Sequence, residues 1–237
     1  MAGPGFASVS SVASLTPPTA PSAPSGMRSL LSVSALDAAP LLLGATLTHD
    51  RDGDDADAGP VSVRITEVEA YLGPVDPGSH AFRGRTARNN SMFGPAGHLY
   101  VYFTYGMHYC VNVVCGTDGW ATGLLLRAGE VTDGLALARR RRNTPKSDLD
   151  LARGPARLAQ ALGLDRRHDG ADTLAPPFTL ALPPEPVPEA RYSTGPRVGV
   201  SGDGGTTDYP WRFWLSGEPT VSRYRPGKPP KDRRVVG

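Results

Sequence analysis

The run "GHLYVYFTYGMHYCVNVVCGTDGWATGLLLRA", residues 97–128, constrains this chain more than any other feature. Three stretches rich in β-branched and aromatic residues are divided by breaks at Tyr105-Gly106-Met107 and at Thr117-Asp118-Gly119. Breaks this short leave no room for a crossover helix, so the three strands are expected to form an antiparallel meander. In the first of them Tyr100, Tyr102 and Thr104 share one face and Leu99, Val101 and Phe103 the other. The chain then turns at Tyr105, offering a large aromatic at a hairpin tip.

Upstream, "VSVRITEVEAY" alternates as a strand should, placing Ile65, Glu67, Glu69 and Tyr71 on one face and Arg64, Thr66, Val68 and Ala70 on the other. Two acids on one face are costly to bury without a task. "ALDAAPLLLGATLTHD" reads as a short helix closing at Gly44 and passing into a strand, followed by the acidic turn "DRDGDDADAGP". After the meander, Thr132 precedes "DGLALARRRR", a helix with its cations in the last turn, where they suit the helix dipole. "GPARLAQALGL" gives a further helix with Pro155 near its start and Gly163 near its end. Residues 175–190 are Pro-rich and read as a loop; "PRVGV" and "WRFWL" read as short strands. No internal repeat is visible.

The ends differ in composition from the middle. Residues 1–27 carry no charged side chain and lack the basic start and apolar run of a secretory signal. Residues 1–29 are read as a disordered Ala/Ser/Pro-rich tail, 30–222 as one folded domain, and 223–237 as a flexible basic tail. No run approaches the length of a transmembrane helix, so no membrane association is expected. Cys110 and Cys115 fall on opposite faces of one strand, which argues against a disulfide and fits a reducing cytoplasm. Residues 80–157 hold eleven Arg or Lys against five Asp or Glu, a local bias that favours an anionic partner.

The chain has no Gly-rich phosphate loop and no clustered Cys/His ligands, so neither a nucleotide-binding α/β fold nor a structural metal is expected. His108 near Cys110 would need a third ligand, and His98 has no support. A tyrosine at an exposed tip suits a side chain that wedges between stacked bases. Aromatic faces with basic residues suit nucleic-acid binding. A carboxylate such as Glu69 beside a stacked base could take a proton from water and direct it at C1′ of the sugar. Three readings stand on these residues: a DNA glycosylase, a nucleoside or sugar hydrolase using Glu67 and Glu69 as its carboxylate pair, and a non-catalytic damaged-DNA binding module.

"EVEAYLGPVDPGSHAFRGRTARNNSMFGPAGHLYVYFTYGMHYCVNVV", continuing to "LLLRA", with "RGPARLAQALGL" and "RVGV", closely resembles the alkyladenine (3-methyladenine, or methylpurine) DNA glycosylases over roughly residues 30–217. The resemblance implies a single α+β domain with a curved antiparallel β-sheet and surrounding helices. It implies a monofunctional enzyme of base excision repair, without metal or organic cofactor, acting as a monomer on double-stranded DNA containing damaged purines; no lysine precedes Lys146, in keeping with water as the nucleophile. By position, Glu69 matches the general base and Arg127 the arginine that helps hold the water. Tyr71, His80 and Tyr102 match the side chains that line and stack the base pocket, and Asn112 the asparagine that crowds out the 2-amino group of guanine. Tyr105 matches the wedge filling the gap in the duplex, with Met107 beside it. Glu67 is expected to be structural, pairing with an arginine, and the Arg139–Arg142 run to be a solvated helix end.

Overall fold

The computed structural model describes residues 24–53, 57–104, 106–143 and 145–229. Two helices open it, α1 (Pro24–Leu31) and α2 (Ala35–Leu42). In α2 the Ser34 hydroxyl caps the first turn by accepting from the Leu36 N–H, and Ala35, Ala38, Ala39 and Leu42 form one buried stripe at helical spacing. Gly44, at φ +78°, makes the turn into the sheet. The strands are β1 (Thr46–Arg51), β2 (Gly59–Tyr71), β3 (Leu99–Thr104), β4 (His108–Cys115) and β5 (Thr122–Asp133). Then come α3 (Leu135–Arg142), β6 (Ala152–Arg153), α4 (Pro155–Ala161), β7 (Phe178–Ala181), β8 (Tyr192–Gly195) and β9 (Arg212–Leu215).

Among the described residues these strands form one curved, antiparallel nine-stranded sheet, ordered β3-β4-β5-β2-β1-β7, with β6 on β5 and the β8/β9 pair on β2. The fold is therefore a single-domain α+β architecture, and the expected meander is β3, β4 and β5. The helices cover one face, where Leu31, Leu42, Leu47, Val63, Val113, Leu124, Leu126 and Leu158 share a continuous core. The other face is covered by long connections, with a small cluster of Ala81, Met92, Tyr100, Val114 and Ala121 beneath them. The expected split of β3 holds: Leu99 and Val101 enter the main core, and Tyr100 faces the opposite way.

Strand β2 departs from strict alternation. Val61, Val63 and Ile65 enter the main core, and so do Val68 and Ala70, so the parity changes between 65 and 68. Ile65 pairs with Gly129 and Glu67 with Ala128, leaving Thr66 as an extra residue; Glu67 to Val68 then spans Ala128 to Leu126, leaving Arg127 as the extra residue on β5. Two opposed bulges thus turn Glu67 and Glu69 away from the core that holds Ile65, and Ile65 does not share their face. A bulge reverses every later side chain, which uninterrupted alternation cannot foresee.

Other expectations need correction. The Pro-rich stretch contains β7, an edge strand in which Phe178 and Leu180 are buried and Thr179 and Ala181 are exposed; edges tolerate flanking prolines. "PRVGV" forms no strand but a turn at Val198-Gly199, because Arg197 is drawn under the sheet into a buried ion pair. Helix α1 begins inside the stretch read as tail, and Arg28 binds Asp172. At the other end residues 223–229 belong to the fold: the Arg225 and Lys228 carbonyls accept from the Gly199 and Gly202 N–H groups at 2.9 and 3.0 Å. Cys110 and Cys115 are both free and buried.

Candidate active site

On the loop-covered face, β2, β3, β4 and β5 floor a cavity of about 310 Å³. Its walls include Glu69 and Tyr71 from β2, Tyr102 and Thr104 from β3, Cys110 from β4, and Leu125 and Arg127 from β5. His80 comes from the loop after β2, and Val198 to Ser201 from the turn after β8. A purine-sized guest suits such a volume.

Glu69 is fully buried. Its Oε1 accepts from the Val198 N–H at 2.6 Å, and its Oε2 accepts from the Tyr71 hydroxyl at 3.0 Å. The Arg127 Nε stands 3.5 Å from Oε1. Burial pushes the Glu69 carboxyl above the usual carboxylate range, opposed by Arg127, by the Val198 N–H and by the Tyr71 hydroxyl, and assisted by the neighbouring Glu67. A carboxylate offers about four acceptor positions, so these donors leave room for a water.

Glu67 is also fully buried but does not line the cavity. Its Oε1 accepts from the Arg212 Nε at 2.6 Å and the Ser222 hydroxyl at 3.1 Å, and its Oε2 from the Ser222 N–H at 2.7 Å. That is the expected pairing with an arginine, and among the described residues it leaves no second carboxylate lining the cavity as a sugar hydrolase would require.

The aromatic wall is interlocked. The His80 ring stands edge-on to Tyr102, centroids 4.5 Å apart, and its Nδ1 shares a 3.1 Å hydrogen bond with the Tyr100 hydroxyl. Tyr100 and Tyr102 stack at 5.4 Å. Lost hydration and the Arg88 charge hold His80 below the ordinary histidine value, so its ring is neutral at pH 7. Burial raises the Tyr71 and Tyr102 phenols, which stay protonated.

Asn112 lies two residues along β4 from Cys110, hence on the same face, but it is not part of the cavity wall. It is buried, and its Nδ2 donates to the Tyr100 carbonyl at 3.1 Å. Met107 is 70% exposed at the β3–β4 tip. Tyr105, the expected wedge, lies outside the described residues. The arginine run is more committed than a bare solvated end: Arg139 pairs with Asp148, Arg141 with Asp57, and Arg142 donates to the Leu151 carbonyl.

Sequence reasoning missed the support behind the wall. Asp76 and Arg197 form a fully buried bidentate pair at 2.6 and 2.7 Å. Arg197 also donates to the Ala70 and Gly204 carbonyls, with its guanidinium 4.6 Å from the Tyr71 ring and 5.1 Å from Trp211. The pair fixes the loop leading to His80 and the turn carrying the Val198 N–H. Asp76 was legible as a turn former, since "DPG" lets its carboxylate accept from the Gly78 N–H at 2.8 Å. Its partner, 121 residues away, carried no local signal. Among the described residues no group of three or more His, Cys, Asp or Glu side chains is placed to hold a metal, and no helix is long and apolar enough to cross a membrane.

Comparison with known proteins decides the family. The profile of the methylpurine-DNA glycosylase (MPG) family matches residues 29–219. The chain belongs to the methylpurine-DNA glycosylase family. Relatives agree: a Streptomyces avermitilis protein named "Putative 3-methyladenine DNA glycosylase" is 54% identical over 209 residues, covering 87% of this chain and 94% of the relative. Proteins of the same name from Leifsonia xyli subsp. xyli and Nocardia farcinica are 55% and 51% identical, covering 84% and 82% of this chain and 92% and 89% of the relatives. As a methylpurine-DNA glycosylase the protein is an enzyme that hydrolyses N-glycosyl bonds in DNA, removing alkylated bases in DNA repair.

Proposed function

We propose that this methylpurine-DNA glycosylase rotates an alkylated purine nucleotide out of duplex DNA into the 310 Å³ cavity and hydrolyses its N-glycosidic bond with a water activated by Glu69. One observation carries the reading: Glu69 lies buried in the wall of an aromatic cavity, held by Val198, Tyr71 and Arg127. A carboxylate withdrawn from solvent is a stronger base than one in water and also favours the oxocarbenium character that develops at C1′.

Tyr71, His80 and Tyr102 sandwich the extruded base, with stacking worth about 1–3 kcal/mol. Arg127 orients the water. Asn112, behind the wall and tied to the Tyr100 carbonyl, stiffens the floor against a bulkier guanine. Tyr105 and Met107 fill the space the nucleotide leaves in the duplex. Electron-rich rings attract a cationic base. A base such as 3-methyladenine already carries the positive charge that makes it leave, so the preferred substrates are cationic alkylpurines. Neutral hypoxanthine and ethenoadenine also need protonation, and a neutral His80 is a poor source of that proton.

The test is one incubation. Duplexes bearing a single alkylpurine, hypoxanthine or ethenoadenine are treated with the protein and then with hot alkali. Scission at the alkylpurine, fastest of the three, is the expected result; no scission at any lesion would overturn the reading.

A further inference from the structure

We propose that a second depression, opening from the cavity across Arg127 and Val198, binds phosphodiester groups of the DNA strand, and that two of its cations, Arg223 and Arg225, come from the C-terminal segment beyond the family match. The depression has a volume of about 510 Å³ and is lined by Lys146, Arg153, Arg223 and Arg225, with Arg127 and Val198 shared with the cavity. The proposal rests on the excision reading for the identity of the strand, and on the following geometry for the site.

This region combines cations that lack a carboxylate partner with a depression that shares Arg127 and Val198 with the cavity. Several arginines elsewhere are committed to carboxylates, Arg28 to Asp172, Arg64 to Glu130 and Glu218, Arg139 to Asp148 and Arg167 to Asp165, while others such as Arg85 and Arg88 bind only neutral groups, Asn90 and the Phe103 carbonyl. Arg223 and Arg225 are exposed and make no ion pair among the described residues, nor does Lys146. Arg153 is held by a neutral group, its Nε donating to the Val221 carbonyl at 2.9 Å. Asp150 is the one acid in the lining, and Arg157 neutralises it. Several like charges gathered in a concave surface without counter-charges repel one another, and an anion relieves that repulsion.

The segment bearing these arginines is fastened at three points. Ser222 is bound to Glu67 through its N–H and hydroxyl, and its hydroxyl also accepts from the Arg127 Nε at 3.2 Å. The Arg225 carbonyl holds Gly199 of the cavity wall, and the Lys228 carbonyl holds Gly202 just beyond it. Pro226 keeps Arg225 out of helical conformation, so the segment lies along the wall instead of coiling away. Backbone and side chains thus divide the work, the former bracing the turn at Gly199 in the cavity wall and the latter meeting the strand that enters it. The family match ends at residue 219, before either arginine.

The full-length protein and its Arg223→Ala/Arg225→Ala variant are titrated with undamaged duplex over a salt series. Each phosphate contact contributes a slope of about 0.9 in log K against log[salt]. The double variant should therefore lose about 1.8 of the wild-type slope. Arg223→Lys/Arg225→Lys should restore it, since the charge is kept, and Arg167→Ala, already bridged to Asp165, should leave it unchanged. A double-alanine slope equal to wild type, or a loss that lysine does not restore, would overturn the groove. Because undamaged duplex is the probe, this result is independent of excision: a protein that cleaves no lesion refutes the proposed function, whereas a protein that cleaves lesions with an unaltered variant slope refutes the groove alone.

Discussion

The Arg127 Nε lies 3.3 Å from Oε1 of Glu67 and 3.5 Å from Oε1 of Glu69, so one guanidinium is shared by two fully buried carboxylates. The acids are nevertheless unequal. Arg212 and Ser222 occupy Glu67 on the far side, while Glu69 faces the cavity.

Opposite consequences of neutralising the two acids follow from that difference. Glu69→Gln should lower the single-turnover excision rate on the order of 10²–10⁴-fold, the usual contribution of a general base, while lesion binding persists. Glu67→Gln should instead cost about 3 kcal/mol of stability, because it breaks a buried ion pair, and should retain far more activity at a temperature where it is folded. Denaturant melts and single-turnover assays of both variants check this; a folded Glu67→Gln as inactive as Glu69→Gln would put both acids in the chemistry.

Glu69 also sets the pH response. Burial raises its carboxyl above 4.5, so the ionised, base-competent form is lost on acidification earlier than for a free carboxylate. Excision of a cationic alkylpurine should fall along an acid limb whose midpoint lies above 4.5. The same shift means that the folded chain binds this proton more tightly than the unfolded chain, so ionised Glu69 disfavours folding at neutral pH and the penalty fades as pH drops through the raised value. Glu69→Gln should accordingly melt no lower than wild type at pH 7. A pH–rate profile and a thermal melt are the measurements, and a midpoint at or under 4.5 would contradict the assignment.

Arg197 is expected to act as a positioning residue. Arg197→Met strands the buried Asp76 carboxylate and should cost about 3–5 kcal/mol of stability. It also loosens the turn carrying the Val198 N–H, which holds the Glu69 carboxyl down, so the acid limb of the surviving activity should move to higher pH. An unmoved limb in a destabilised variant would reduce the Asp76–Arg197 pair to scaffolding.

Met107 projects into solvent at the β3–β4 turn, and Tyr105 precedes it by two residues in the sequence. Tyr105→Ser should slow excision from duplex DNA more than from a single strand, because only the duplex has a gap to fill. Paired assays on the two substrates decide it, and equal losses would remove the wedge role.

Much of the site was legible because its parts are local. Glu69 and Tyr71 are two residues apart on one strand, and Tyr102 and Cys110 are cross-strand partners in a hairpin whose turn the sequence announces. The meander, α2, and α4 with Pro155 and Gly163 follow from periodicity and from the steric habits of proline and glycine.

What the sequence could not decide lies in contacts between distant segments. Alternation alone puts Ile65 beside Glu67; the paired bulges at Thr66 and Arg127 reverse that, and a bulge depends on two strands meeting. Burial of Arg197 against Asp76, and of Glu67 against Arg212 and Ser222, joins segments more than 100 residues apart, with nothing in either segment naming the other. By itself the sequence determined which side chains lie on which strands and in what order, because backbone geometry is local. Only the tertiary structure decided which carboxylate faces the cavity and that the basic C-terminal segment braces the turn at Gly199 in its wall, because desolvation and long-range bonding are properties of the assembled interior.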